Sequence, residues 1–199
     1  MKKLLIPLIL LAVIAFALYN WGVGFNNTAV SLQENATKTW GDVENSYQRR
    51  NDLIGNLVKT VQGAADFERG TLTDVIEARA KATSTTIDPS NITPEQMTAF
   101  NQAQGGLTSA LSKLMVVVER YPELKANQNF LELQSQLEGT ENRINVARDR
   151  FNKAVQPYNQ HIKTFPNSLL AGWFGFDGME YFQAEAGAES APDVDFDFK

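Results

Sequence analysis

Few side chains in this sequence are of the kinds that carry chemistry, and their spacing argues against a reaction. There is no cysteine, so disulfides, thiolate metal sites, iron–sulfur clusters and thiol nucleophiles are all excluded. His161 is the single histidine, and the residue three before it is Tyr158. The Glu-x-x-His pair of a di-iron carboxylate bundle is therefore missing. No Gly-rich phosphate loop, His-Glu-x-x-His or nucleophile elbow occurs. Glu138 and Glu141 stand three apart on a polar helix face, an ordinary spacing for solvated carboxylates. No catalytic residue, metal ligand or cofactor-binding residue is assigned, and the expectation is a protein that is not an enzyme.

The remaining polar signal is Arg50. It falls where a leucine would continue an apolar seam, with Arg49 beside it. Such a side chain either snorkels or pairs with a carboxylate on another helix. The alternative is a site in which Arg50 faces the polar band from Glu138 to Arg148 around an internal pocket. Trp173, Phe174 and Phe176, in a Gly- and aromatic-rich stretch near the C-terminus, either cover an end of the fold or form a docking patch. Arg49, Arg50, Trp173, Phe174 and Phe176 are thus the candidate interaction residues.

Long helices must position these groups. Phe130, Leu133, Leu137, Thr140, Ile144, Ala147, Phe151, Ala154, Tyr158, His161 and Phe165 alternate in steps of three and four, which places them on one helical seam. Trp40 to Ala64 and Phe100 to Tyr121 repeat the pattern. The expected fold is all-α, a long antiparallel bundle of four-helix type. Thr93-Pro94-Glu95-Gln96 opens a helix with a capping box, Tyr121-Pro122 closes it, and Asn127 caps the next. Pro157 lies inside the last seam, predicting one kinked helix rather than two. Gly41, Gly55 and Gly63 suggest close helix approach.

Lys2 and Lys3 precede an uncharged stretch that extends to Glu34. Leu4 to Phe25 supplies the roughly 20 residues a membrane span needs, with Tyr19 and Trp21 suited to the interfacial belt. Ala15-Phe16-Ala17 resembles a signal-peptidase site, but the length and aromatic flank favour an anchor. The lysines predict a cytoplasmic N-terminus and an exported body. The net charge of −5 is concentrated beyond Asp177, and the near-neutral remainder gives no basic face for nucleic acid. The expected organisation is an anchor over 1–26, a bundle over 27–166, and an aromatic segment with an acidic, disordered tail over 167–199.

The sequence resembles the LemA family. The likeness is carried by Gln48-Arg-Arg-Asn-Asp-Leu-Ile-Gly-Asn-Leu-Val58, Tyr121-Pro-Glu-Leu-Lys-Ala-Asn127, Leu137-Glu-Gly-Thr-Glu-Asn-Arg-Ile144, Tyr158-Asn159, Phe165-Pro166 and Leu170-Ala-Gly-Trp-Phe-Gly-Phe176. The resemblance implies a single membrane span bearing long antiparallel helices, with no established catalytic activity. Pro157 and the acidic end beyond Glu185 are less typical of it. Together these readings lead to a membrane-anchored interaction module or self-associating scaffold in a bacterial cell membrane. Its expected partners are lipid through residues 4–25, an unknown protein, and a further copy of itself in a homo-oligomer. The alternative is a ligand-binding or signal-relaying bundle.

Overall fold

A computed structural model describes residues 2–63 and 69–183. The described residues form six helices, α1 Lys2–Gln62, α2 Arg69–Ser84, α3 Pro94–Val118, α4 Pro122–Lys125, α5 Gln128–Lys163 and α6 Asn167–Phe174, with no strand among them. The expected all-α bundle with an N-terminal apolar helix is what is found.

The apolar N-terminus and the first seam form one helix. α1 has 61 residues, roughly 90 Å at ~1.5 Å per residue. Gly22 and Gly24 do not interrupt it. Residues 5–20 are bare along its whole circumference, and coverage begins at Trp21 and Phe25. Beyond that point α5 packs antiparallel along α1, and α2 packs against α1 and α3.

The caps follow the sequence signals. Thr93 and Gln96 close a reciprocal capping box at α3, and the Asn127 side chain accepts from Asn129 N–H and Phe130 N–H at the start of α5. Pro157 lies within α5, which continues through it as one element. The expectation for the seam fails at its end. α5 stops at Lys163, so Phe165 leaves the helix and is 78% exposed. The glycine expectation holds only at Gly55, where an added Cβ would come within 3.2 Å of the Arg79 guanidinium. Gly41 faces open space, and Gly63 meets only carbonyls of its own last turn.

Two hydrophobic cores result. The distal one gathers Leu53, Ile54, Leu57, Val61, Leu72, Val75, Leu107, Leu114, Phe130 and Leu137 from four helices. The proximal one, nearer the bare end of α1, is built from Phe25, Trp40, Tyr47, Phe100, Phe151, Tyr158 and Phe182. There α2 has already ended, and the loop after it descends along α1. Ile87 and Ile92 are buried, and the Gln33 and Thr37 side chains donate to the carbonyls of Ser90 and Pro89.

Candidate functional site

Between the two cores lies a polar layer. Arg50, Asn51 and Gln104 are all buried. Arg50 reaches from α1 into the seam between α3 and α5, where its guanidinium donates to Gln104 Oε1 on α3 and to Glu141 Oε1 on α5, the latter at 3.0 Å. Thr108 Oγ1 is 3.5 Å away, and the Tyr47 ring lies beneath the guanidinium at 5.0 Å. Removal of such a charge from water is costly unless its donors are met, and the α3 and α5 acceptors meet most of them. Arg50 Nε has no acceptor among the described residues. Of the two sequence readings of Arg50, pairing with a carboxylate on another helix is the arrangement found, and a cleft is found beside it.

That cleft has a volume of about 520 Å³ and opens between α3 and α5. Buried Arg50 and Gln104 form its floor, with Thr108 on the α3 side and Asn145, Arg148 and Gln183 on the α5 side. The helix backbones stand well apart here, unlike those of α1 and α5. Gly105 of α3 borders the opening, and a Cβ there would meet nothing within 4 Å.

The same seam is closed at its proximal end by an extended strap. Gly175, with φ 74°, ends α6 in the left-handed region that glycine tolerates, and residues 176–183 then run back along α5. Asn159 donates to Met179 O at 2.8 Å and accepts from Met179 N–H at 2.9 Å. Asn152 does the same for Phe182, at 2.9 Å in both directions. The Tyr158 hydroxyl donates to Asp177 O at 2.7 Å. Burial, with Asp177 adding to it, pushes that phenol above its ordinary value. On the far side Glu180 N–H donates to Ile92 O at 3.2 Å. Arg148 donates to Gln183 O and lies over the Phe182 ring.

The match is one of periods. Asn152 and Asn159 are seven residues apart on a helix, roughly 10.5 Å. Phe182 and Met179 are three residues apart in an extended chain, roughly 10 Å. Asn145 is the next position in that series. It lines the cleft, is exposed, and makes no side-chain hydrogen bond among the described residues. The asparagine series was missed in the sequence reading. Its signal was there: asparagine recurs at every seventh residue, each time one position after the seam residues Ile144, Phe151 and Tyr158.

The other candidate residues fall elsewhere. Arg49 is exposed on α1. Trp173 is 88% exposed and Phe174 is half-exposed, whereas Phe176 packs against the proximal core, edge-on to Phe25. His161 Nε2 is 3.2 Å from Phe25 O, and Asn167 Nδ2 is 3.5 Å from its Nδ1. The Nε2–H tautomer satisfies both contacts, and Trp21 Nε1 donates to Asn167 Oδ1 at 3.3 Å. His161 is thus a bundle residue stacked on Phe25. No group of three or more metal-ligating side chains occurs among the described residues.

A family model described as the LemA family matches residues 39–196. The chain belongs to the LemA family. Among its relatives, the magnetosome proteins MamQ 1 and MamQ 2 of Paramagnetospirillum magneticum are each 29% identical over 181 residues, covering 82% of this chain and 66% of the relative. Protein LemA of Metamycoplasma hominis is 22% identical over 162 residues, covering 81% of this chain and 70% of the relative. The chain spans about two thirds of the length of the MamQ relatives it matches. Together with α1, which is long and apolar enough to cross a membrane, these bacterial relatives fit a membrane-anchored helical protein.

Proposed function

We propose that this LemA-family chain is a non-enzymatic, membrane-anchored interaction module that seats an extended polypeptide segment in the cleft between α3 and α5, and that copies of it associate laterally as a scaffold. The N-terminus lies on the cytoplasmic side and the bundle on the other. The single observation that carries the reading is the asparagine series on α5. Two rungs, Asn159 and Asn152, each hold both main-chain groups of a strap residue, and the third, Asn145, faces an open cleft in line with them. A primary amide that donates and accepts at once reads a peptide backbone independently of its side chains. This is main-chain recognition of an extended segment, achieved without a sheet edge.

A second reading rests on the same cleft. Arg50, Arg148, Gln104 and Thr108 converge there, as polar groups do in sites for small polar ligands. In that case the bundle would sense a ligand and relay its presence along α1.

One experiment separates the two. A photo-crosslinking side chain at Asn145 is introduced into the full-length protein in its native membrane, alone and together with Gly105→Phe, which plugs the cleft from a position with free space. A polypeptide adduct that Gly105→Phe abolishes supports the interaction module. A small-molecule adduct with the same sensitivity moves the assignment to the ligand-binding bundle. An adduct pattern indifferent to Gly105→Phe overturns both.

A further inference from the structure

α6 lies against α1 at the place where its coverage begins. The Asn167 side chain at the start of α6 accepts from Trp21, and Phe174 at its end stacks with Phe25 at 6.1 Å between ring centres. Ala171 is buried and Leu170 half-buried on the inner side. The outer side is apolar as well. Leu169 is 65% exposed and Trp173, one turn on, 88%, with Phe165 just before the helix at 78%. An exposed apolar row of this kind on a helix calls for a covering surface.

The length of the bare part of α1 says what that surface is. Residues 5–20 have no neighbour on any side, and at ~1.5 Å per residue they span about 24 Å. A bilayer's hydrocarbon core is about 30 Å thick. The missing length is about one helical turn, which is Trp21–Gly24, the turn against which α6 leans. Tryptophan favours that depth, with its ring in the apolar boundary and its N–H in the wet headgroup layer. No carboxylate occurs between Asp149 and Asp177, so α6 itself and the turn before it carry no acidic group.

We infer that α6 is a membrane-interface helix, with Phe165, Leu169 and Trp173 inserted in the headgroup boundary of the bilayer that α1 crosses. The bundle then stands on the membrane rather than above it. α1 runs from the apolar span into the bundle without a break, so the span and α6 fix its tilt and rotation together. The inference rests on the anchor reading of α1.

Tryptophan quenching tests both levels. The full chain is reconstituted in phosphatidylcholine vesicles containing lipid brominated near the headgroup end of its acyl chains. Wild type, Trp173→Phe, Trp21→Phe and the double variant are compared, with buried Trp40 as the internal reference. The expected result is that each single change removes a comparable share of the bromine-quenched emission, and that the double variant's emission is insensitive to bromine. If Trp173→Phe leaves the quenched share unchanged while Trp21→Phe removes it, the anchor stands and the interfacial helix is overturned. This holds whether the Trp173 signal is then open to aqueous iodide or shielded from it by a second copy. If neither change removes any of the quenched share, the anchor reading itself fails.

Discussion

The two halves of the bundle solve one packing problem in different ways. In the distal half four helices surround a core that is aliphatic apart from Phe130. Each helix satisfies its own backbone, and leucine, isoleucine and valine fill the narrow space between. In the proximal half α2 is absent, and its place is taken by the 85–92 loop and the 176–183 strap. Extended segments leave main-chain groups that the fold must satisfy, and a gap of irregular shape that it must fill. Asn152, Asn159 and Tyr158 do the first. Trp40 does the second, with edge contacts to Phe100 and Phe151 and a stack on Phe182. Arg50 sits where one solution gives way to the other, and there the seam is left open.

The comparison breaks most readily at Trp40. Its indole N–H has no acceptor among the described residues, so the residue is retained for its ring. Trp40→Ala should cost about 3–5 kcal/mol, read as a shift in denaturant midpoint. It should also release the strap, read as new proteolytic cleavage near Phe182. Leu114→Ala in the distal core should cost about 2–5 kcal/mol without exposing the strap to protease. Strap release by both variants would mean that the two cores are one cooperative unit.

A smaller loss is expected at the rungs. Asn159→Ala leaves the N–H and C=O of Met179 without partners in a buried place, at about 1–3 kcal/mol. Asn152→Ala should cost less, because Asn152 is only half-buried and water can replace it. Hydrogen exchange at Met179 and Phe182 amides would show which rung opened.

Tyr158 gives the comparison a pH axis. Tyr158→Phe should cost about 0.5–1.5 kcal/mol near neutral pH, the net worth of one hydrogen bond. The folded phenol titrates above the unfolded value of about 10. Above that value the unfolded chain gives up its proton while the folded one retains it, so stability falls as pH rises from about 10 through the folded value. Tyr158→Phe should remove this part of the alkaline loss, measurable as a flatter dependence of denaturant midpoint on pH.

The long-helix framework of both halves was legible in the sequence because helix physics is periodic. The three seams, the Thr93–Gln96 capping box and the Asn127 cap are local patterns, and residues from Trp40 to Val61 on the first seam are buried as their spacing requires. The resemblance to the LemA family was legible too. The short and extended elements were not. α4 and α6 are too short for periodicity to reveal, and the strap is an extended piece whose partners lie from 19 positions back, at Tyr158, to 88 positions back, at Ile92. Arg50 was visible as an anomaly in its seam, but not the Gln104 and Glu141 acceptors that hold it. The acidic, disordered tail expected beyond Glu185 lies outside the described residues.

The mildest change should fall on the boundary itself. Glu141 is about half exposed, so water and salt screen its pair with Arg50. Glu141→Gln keeps an acceptor in place and leaves the Gln104 contact untouched. The expected loss is below about 1 kcal/mol, and it should shrink further above physiological salt, where the screening length falls below about 8 Å. Arg50→Met, of similar length and without charge, takes the donor away from the buried Gln104 Oε1 and should cost about 1–3 kcal/mol. Both variants should nevertheless alter what the cleft holds, read as a change in the yield of the Asn145 crosslink. A loss above about 3 kcal/mol from either, with the crosslink intact, would make the polar layer a structural keystone joining two unlike cores. The cleft beside it would then be a by-product of that join, and the interaction reading would lose its footing.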